Sequence, residues 1–112
     1  MGVLKESWWT ENDQCVKQHY NSMLLLTRKF LLECKKHGVI IKVFGSLLHP
    51  EKFHEYSDVD FAIVDLGDLT FSQLDSLAFH HFQNLRSYDL IETKYLNQPI
   101  LDAVEQEGVE YV

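Results

Sequence analysis

The sequence has few cysteines, few basic residues and no long apolar run. Its two cysteines, Cys15 and Cys34, fall in one predicted long helix, where they would lie about 28 Å apart, too far for a disulfide. The 10 Lys and Arg residues stand against 17 Asp and Glu, and this net charge of −7 argues against non-specific binding to nucleic acid. No apolar run approaches the roughly 20 residues that a membrane span requires. We therefore expect a cytoplasmic protein whose thiols stay reduced.

Enough apolar residues are present, at 46%, to build one hydrophobic core. A chain of this length is expected to fold as one domain rather than two. We find no repeat, linker or low-complexity segment, and we interpret residues 1–9 as a loose lead-in. The expected domain therefore covers residues 1–112.

Hydrophobic periodicity predicts helices and strands that alternate along the chain. A long amphipathic helix is predicted from Thr10 to a stop at Gly38, and shorter helices are predicted to begin at Thr70 and near Pro99. Apolar and β-branched segments predict strands over residues 39–44, 58–64 and 88–95. This order predicts an α/β (α+β) fold with a small mixed β-sheet and helices packed mainly on one face. The first helix, at about 40 Å, is longer than such a domain can cover, so it could contact another chain, including a second copy.

The first predicted strand is followed by Gly45 and Ser46. Glycine permits a sharp turn and a close approach of the backbone to a ligand, and the serine adds a hydroxyl donor. If a helical turn begins here, its free N–H groups suit an anion such as phosphate. Gly-Ser is also a common turn dipeptide, so an ordinary surface turn is the alternative.

Two aspartates, Asp58 and Asp60, open the second predicted strand. Side chains at i and i+2 share one face of a strand and stand about 6.6 Å apart along it. Such carboxylates can converge on one or two Mg²⁺ ions, which prefer oxygen ligands. Without a cation, two of these charges about 4 Å apart would repel by roughly 4 kcal/mol at an effective dielectric of about 20. The alternative is a solvated Asp58 with Asp60 in a surface ion pair.

A third acidic candidate, Asp89, lies near the start of the third predicted strand. A third carboxylate could complete a metal site and accept a proton from an attacking hydroxyl. Glu92 is a weaker candidate because its position has the opposite parity along the strand. An edge residue without a function is the alternative for Asp89.

Three motifs in this order resemble the nucleotidyltransferase superfamily typified by DNA polymerase β: Phe44-Gly45-Ser46, Ser57-Asp58-Val59-Asp60 and Tyr88-Asp89-Leu90. The small size and the closing segment Glu107-Gly108-Val109-Glu110-Tyr111 resemble the smallest branch of this superfamily, the minimal nucleotidyltransferases. The resemblance covers about residues 24–111.

This resemblance implies a role for each candidate residue. Gly45 and Ser46 would hold the β,γ-phosphates of ATP. Asp58 and Asp60 would bind two Mg²⁺ ions, and Asp89 would complete the second metal site. The implied reaction is in-line attack of a hydroxyl on the α-phosphorus, with release of pyrophosphate.

The chain departs from the family pattern in two places. Residues 47–57 separate the serine from the first aspartate, which is one residue more than is usual in the family. Where the family often has an arginine directly after the serine, this chain has Leu47 and Leu48. Lys52 and His54 are the candidates to replace that arginine.

The resemblance also implies a partner. This would be a helical protein of the HEPN type, often an RNase toxin, which presents a tyrosine hydroxyl as the acceptor of AMP. Modification would silence the toxin, and this chain would act as the antitoxin. Two alternatives stay open: a non-catalytic subunit of the same fold that binds and neutralises or scaffolds a partner, and an unrelated α/β domain with a solvated acidic loop.

Overall fold

The computed structural model describes residues 14–54, 57–83 and 88–112. In chain order, the helices and strands are α1 (Gln14–Lys36), β1 (Ile40–Phe44), β2 (Val59–Asp65), α2 (Phe71–Phe82), β3 (Tyr88–Glu92) and α3 (Gln98–Glu107). Short 3₁₀ turns lie at Gly45–Leu48, Pro50–Lys52 and Thr93–Tyr95. The predicted mixed α+β class is confirmed. The predicted helix start at Thr10 and the lead-in over residues 1–9 lie outside the described residues.

The long helix α1 buries one stripe of side chains at helical spacing: Tyr20, Met23, Leu24, Thr27, Phe30, Leu31 and Cys34. It is followed by Gly38 with a φ of 71°, the stop that the sequence predicted. Cys15 and Cys34 are both free, and burial raises the pKa of the Cys34 thiol to about 12, so Cys34 is an unreactive packing residue. Within the described ranges, neither α1 nor any other helix has the length and apolarity needed to cross a membrane.

The described residues form a three-stranded sheet in which β2 is the central strand. β1 pairs antiparallel with β2, and β3 pairs parallel with it, so the sheet is mixed as predicted. Because β1 runs in the opposite direction to the other two strands, its end lies beside the beginnings of β2 and β3. The outer edge of β1 is covered by Val109, which exchanges backbone hydrogen bonds of 2.7 and 3.0 Å with Val43.

Alternate residues of β2 point to opposite faces of the sheet. The buried residues on the core face are Val59, Phe61 and Ile63. The ring of Phe61 lies 5.1 Å from that of Phe30 in α1 and 6.0 Å from that of Phe82 in α2. These two helices therefore form the layer that the sequence predicted on one face. Asp60 and Ala62 have the opposite parity and belong to the other face.

Both later helices begin as the sequence predicted. At the start of α2, Gln73 N–H donates to the Thr70 hydroxyl at 3.1 Å, and Thr70 N–H donates to the Gln73 side chain at 2.9 Å. α3 is capped by Asn97, carries Pro99 in its first turn and ends before Gly108.

Four strand boundaries differ from the prediction. β1 begins at Ile40 and β2 ends at Asp65, each one residue later than predicted. β2 begins at Val59, so Asp58 lies directly before the strand rather than in it. β3 ends at Glu92 instead of Tyr95, because residues 93–95 form a 3₁₀ turn closed by a 3.1 Å hydrogen bond from Leu96 N–H to Thr93 O. This turn takes the chain out of the sheet and toward α3.

Candidate active site

Asp60 has a strand neighbour on each side. Phe44 of β1 is its partner in the antiparallel pair, and Asp89 of β3 is its partner in the parallel pair. Neighbouring strands lie about 4.8 Å apart, and paired residues point to the same face. The sheet therefore brings the predicted residues Asp60 and Asp89 to adjacent positions. Glu92 pairs with Ile63 on the core face, which separates Glu92 from this group.

Asp58 lies two residues before Asp60 and is exposed at the entry to β2. The chain just before it is anchored through Ser57, which is buried. The Ser57 hydroxyl accepts a 2.9 Å hydrogen bond from His54 N–H, and the Ser57 carbonyl lies 3.0 Å from Nε2 of His19 in α1. These contacts hold the entry to β2 against α1.

The three carboxylates are electrostatically coupled at Asp60. Burial, and then the negative charges of Asp89 and Asp58, raise the pKa of Asp60 to about 6. Ionisation of Asp60 in the folded chain therefore costs free energy, and a cation between these side chains would offset that cost. The effect of these two charges follows from position, because Asp89 is the strand partner of Asp60 and Asp58 lies two residues before it.

Gly45 follows β1 directly, and its backbone lies against the Asp60 carboxylate. Its φ of 81° is in the left-handed region, which favours glycine. A Cβ at this position would overlap Asp60 Oδ2 and lie 3.3 Å from Asp60 Cγ. Ser46 follows in the 3₁₀ turn and is half-buried. The predicted phosphate-binding turn and the predicted metal site are therefore adjacent.

The position after Ser46 belongs to the core. Leu47 is fully buried, and its carbonyl accepts a 2.8 Å hydrogen bond from the Tyr20 hydroxyl of α1. Leu47, which stands where the resembled family often has an arginine, is therefore a packing residue. This position cannot supply a cation to a phosphate. The two suggested replacements, Lys52 and His54, are both exposed further along the same connection.

His49 makes side-chain contacts near the candidate site that the sequence did not predict. Its Nε2 lies 3.1 Å from Glu107 Oε2 at the end of α3, and its Nδ1 lies 3.6 Å from Glu51 Oε1. His49 N–H also donates to Ser46 O at 3.0 Å. His49 therefore fastens the turn after Gly45 to α3, across a sequence separation of 58 residues that no local pattern reveals.

The donor set of this site suits magnesium, because carboxylate oxygens are its preferred protein ligands. The absence of a Cβ at Gly45 also leaves the backbone free to approach this acidic group. Among the described residues, however, no three His, Cys, Asp or Glu side chains are gathered closely enough to enclose an ion. The residues fit the metal in the chemistry of their oxygen donors and in strand position.

No protein-family model matches the chain, and a search of curated proteins finds no matching relative. The relation to nucleotidyltransferases therefore stays a prediction that rests on the motifs and on the geometry described above.

We expect Gly45→Ala to lower the free energy of unfolding by more than Gly38→Ala does. Both glycines have a positive φ, so either substitution costs about 1–2 kcal/mol of backbone strain. Only the methyl group at position 45 would overlap the Asp60 carboxylate, whereas at position 38 the nearest atom is 3.9 Å away. Chemical denaturation measures the difference, and equal losses would contradict the close approach of Gly45 to Asp60.

Asp60→Asn tests the charge crowding at the site. Folding raises the pKa of Asp60 from 3.8 to about 6, so the folded chain holds this proton more tightly than the unfolded chain. The contribution of Asp60 to the free energy of unfolding should therefore fall as pH rises from about 4 to about 6, and it should stay low above that range. Without divalent cations, Asp60→Asn should raise the free energy of unfolding at about pH 7.5 by about 1 kcal/mol, after allowance for solvent screening.

Asp68→Asn is the matched control, because Asp68 is exposed in the turn after β2. Urea denaturation of the wild type and both variants in a chelating buffer, at about pH 5 and about pH 7.5, measures the effect. A difference between the wild type and Asp60→Asn that is the same at both pH values would contradict the raised pKa.

Proposed function

We propose that this chain is a metal-dependent nucleotidyltransferase that moves AMP from ATP to a hydroxyl group with the aid of two Mg²⁺ ions. One observation carries the proposal: Gly45, Asp60 and Asp89, from three separate segments, meet where β1 ends and β2 and β3 begin. A glycine turn packed against an acidic centre is the arrangement that would let one triphosphate contact backbone N–H groups and metal ions together.

Each residue has a role in the proposed reaction. Gly45 gives backbone N–H groups access to the β,γ-phosphates, and the Ser46 hydroxyl would donate a hydrogen bond to them. Asp58 and Asp60 would hold the metal ions, and Asp89 would complete the second metal site and accept the proton of the attacking hydroxyl. When bound, two magnesium ions would stabilise negative charge on the entering and leaving oxygens. The hydroxyl oxygen bonds to the α-phosphorus as the bond to pyrophosphate breaks.

The acceptor in this proposal is a tyrosine of a helical HEPN-type protein in the cytoplasm, for which this chain is the antitoxin. An exposed apolar surface on α1 supports a helical partner. Leu25 and Leu32 are 51% and 65% exposed and lie seven residues apart, on one side of the helix. A groove of about 580 Å³ adjoins Leu32 and is lined by further apolar residues, including Val39 and Ile41. Ile41 lies four residues before Gly45, about 13 Å along β1.

The charges beside this groove favour an acidic partner. Two basic residues, Arg28 and Lys35, and one acidic residue, Glu110, line it together with the apolar residues. α1 carries a further three lysines and one glutamate, so the described helix is basic although the whole chain is acidic. An amphipathic helix with acidic flanks would therefore be attracted to this surface.

A second candidate function is a binding subunit that holds its partner in the α1 groove and transfers nothing. The burial of Leu47 favours this alternative, since the phosphate-contacting arginine of the resembled family has no equivalent at that position. The two functions differ in whether AMP reaches the partner.

Transfer of labelled AMP tests the proposed reaction. Incubation with α-labelled ATP, Mg²⁺ and a HEPN-type protein should label that protein. Asp60→Asn should lower the rate at least about 100-fold because it removes charge stabilisation from the reacting oxygens, and Asp68→Asn should leave it unchanged. Labelling that survives both Asp58→Asn and Asp60→Asn would rule out the assigned site. A tight complex without label would support the binding subunit.

Leu32→Glu tests the α1 groove separately. The new charge would face the apolar surface and should weaken the complex with the HEPN-type protein by at least about 10-fold. Phe71→Glu is the control, because Phe71 is also partly exposed but begins α2. Titration calorimetry measures both affinities, and an equal effect of the two substitutions would contradict partner binding at α1.

A further inference from the structure

A bound triphosphate requires positive charge beside its β- and γ-phosphates. The candidate site already holds three carboxylates, and two metal ions would offset only part of the combined negative charge. The position that follows Ser46 cannot supply a cation, because Leu47 is buried in the core. The positive charge must therefore come from another element.

Lys42 is the basic residue that the sheet places on the acidic face. The three described strands contain one Lys or Arg between them, and it is Lys42. Lys42 pairs with Ala62, and Phe44, two residues further along β1, pairs with Asp60. These four residues therefore share the face opposite the Phe61 core. Diagonal neighbours in an antiparallel pair lie about 7–8 Å apart, a gap that the four-carbon stem of a lysine can span.

The base of the Lys42 side chain is held by the end of α3. A Cβ at Gly108 would lie 3.3 Å from Lys42 Cβ, so Gly108 packs directly on it. The next residue, Val109, pairs with Val43. The preceding residue, Glu107, contacts His49 of the turn after Gly45. One segment at the end of α3 thus contacts both Lys42 and the turn proposed to bind phosphate.

Other described cations are less suited to this role. Lys94 lies 3.8 Å from Glu92, which belongs to the opposite face of the sheet. Arg28 donates a 2.8 Å hydrogen bond to the carbonyl of Val112 and lines the α1 groove. Lys52 is exposed in the 3₁₀ turn beyond Leu47.

We propose that Lys42 is the phosphate-binding cation of this site and contacts the β- or γ-phosphate of the triphosphate. The inference rests on the proposed function and extends it. Lys42 would replace, from the strand before the glycine turn, the charge that the resembled family often supplies after the serine. As a compact point charge on a flexible stem, a lysine ammonium suits a phosphate without fixed bidentate geometry.

Lys42→Met tests this role because it keeps an apolar stem and removes the charge. The matched control is Lys36→Met, since Lys36 is exposed at the end of α1 and lies 3.7 Å from Glu33. Titration calorimetry with Mg²⁺-ATP should show a 10- to 100-fold loss of affinity, an estimate of about 1.4–2.8 kcal/mol, for Lys42→Met and none for Lys36→Met. Lys42→Arg should retain most of the affinity. Stabilisation by Mg²⁺ alone, measured as a rise in Tm, should not decrease in any of the three variants.

The possible outcomes separate this inference from the proposed function. If the wild type binds Mg²⁺-ATP and Lys42→Met binds it equally well, Lys42 has no phosphate contact and only the inference fails. If Lys42→Met keeps the ATP affinity of the wild type and binds Mg²⁺ alone more tightly, Lys42 is a counter-ion of Asp60. That result would also overturn the inference. If the wild type binds neither Mg²⁺ nor ATP, the proposed function fails, and the role of Lys42 fails with it.

Discussion

The position of Asp60 on the central strand is the constraint on which the candidate site depends. Because β2 has a strand on each side, Asp60 has Asp89 and Phe44 as register partners, and the backbone of Gly45 lies against its carboxylate. This placement makes ionisation of Asp60 unfavourable in the folded chain, since burial and two acidic neighbours raise its pKa to about 6. A local arrangement that opposes stability is typical of functional sites, and a divalent cation would relieve this one.

The aromatic core keeps Asp60 in this position. Phe61, the next residue, packs between Phe30 of α1 and Phe82 of α2. A shift of β2 by one residue would exchange its two faces and bury Asp60 where Phe61 now lies. The hydrophobic packing on one side of the sheet therefore determines which residues are presented on the other. Contacts at the ends of β1 and β2, through Val109 and Ser57, support the same register.

Sequence patterns predicted the parts of this arrangement that depend on neighbouring residues. The spacing of buried residues in α1 and the Thr70–Gln73 capping box are local features. The positions of Lys42 and His49 beside the candidate site were not predicted, because they depend on strand register and on the distant end of α3. The end of β3 was also misplaced, because residues 93–95 have no marked turn signal although they leave the sheet.

The most direct test of a metal site at Asp60 is the effect of Mn²⁺ on the backbone amide signals of the isotope-labelled protein. A paramagnetic ion bound there broadens the signals of nearby amides and leaves distant ones unchanged. At substoichiometric Mn²⁺, we predict selective loss of the signals of Gly45, Ser46, Asp58, Asp60 and Asp89. Broadening centred instead on the exposed acidic residues at the opposite end of β2, Asp65 and Asp68, or no selective broadening at all, would contradict a metal site at the start of β2.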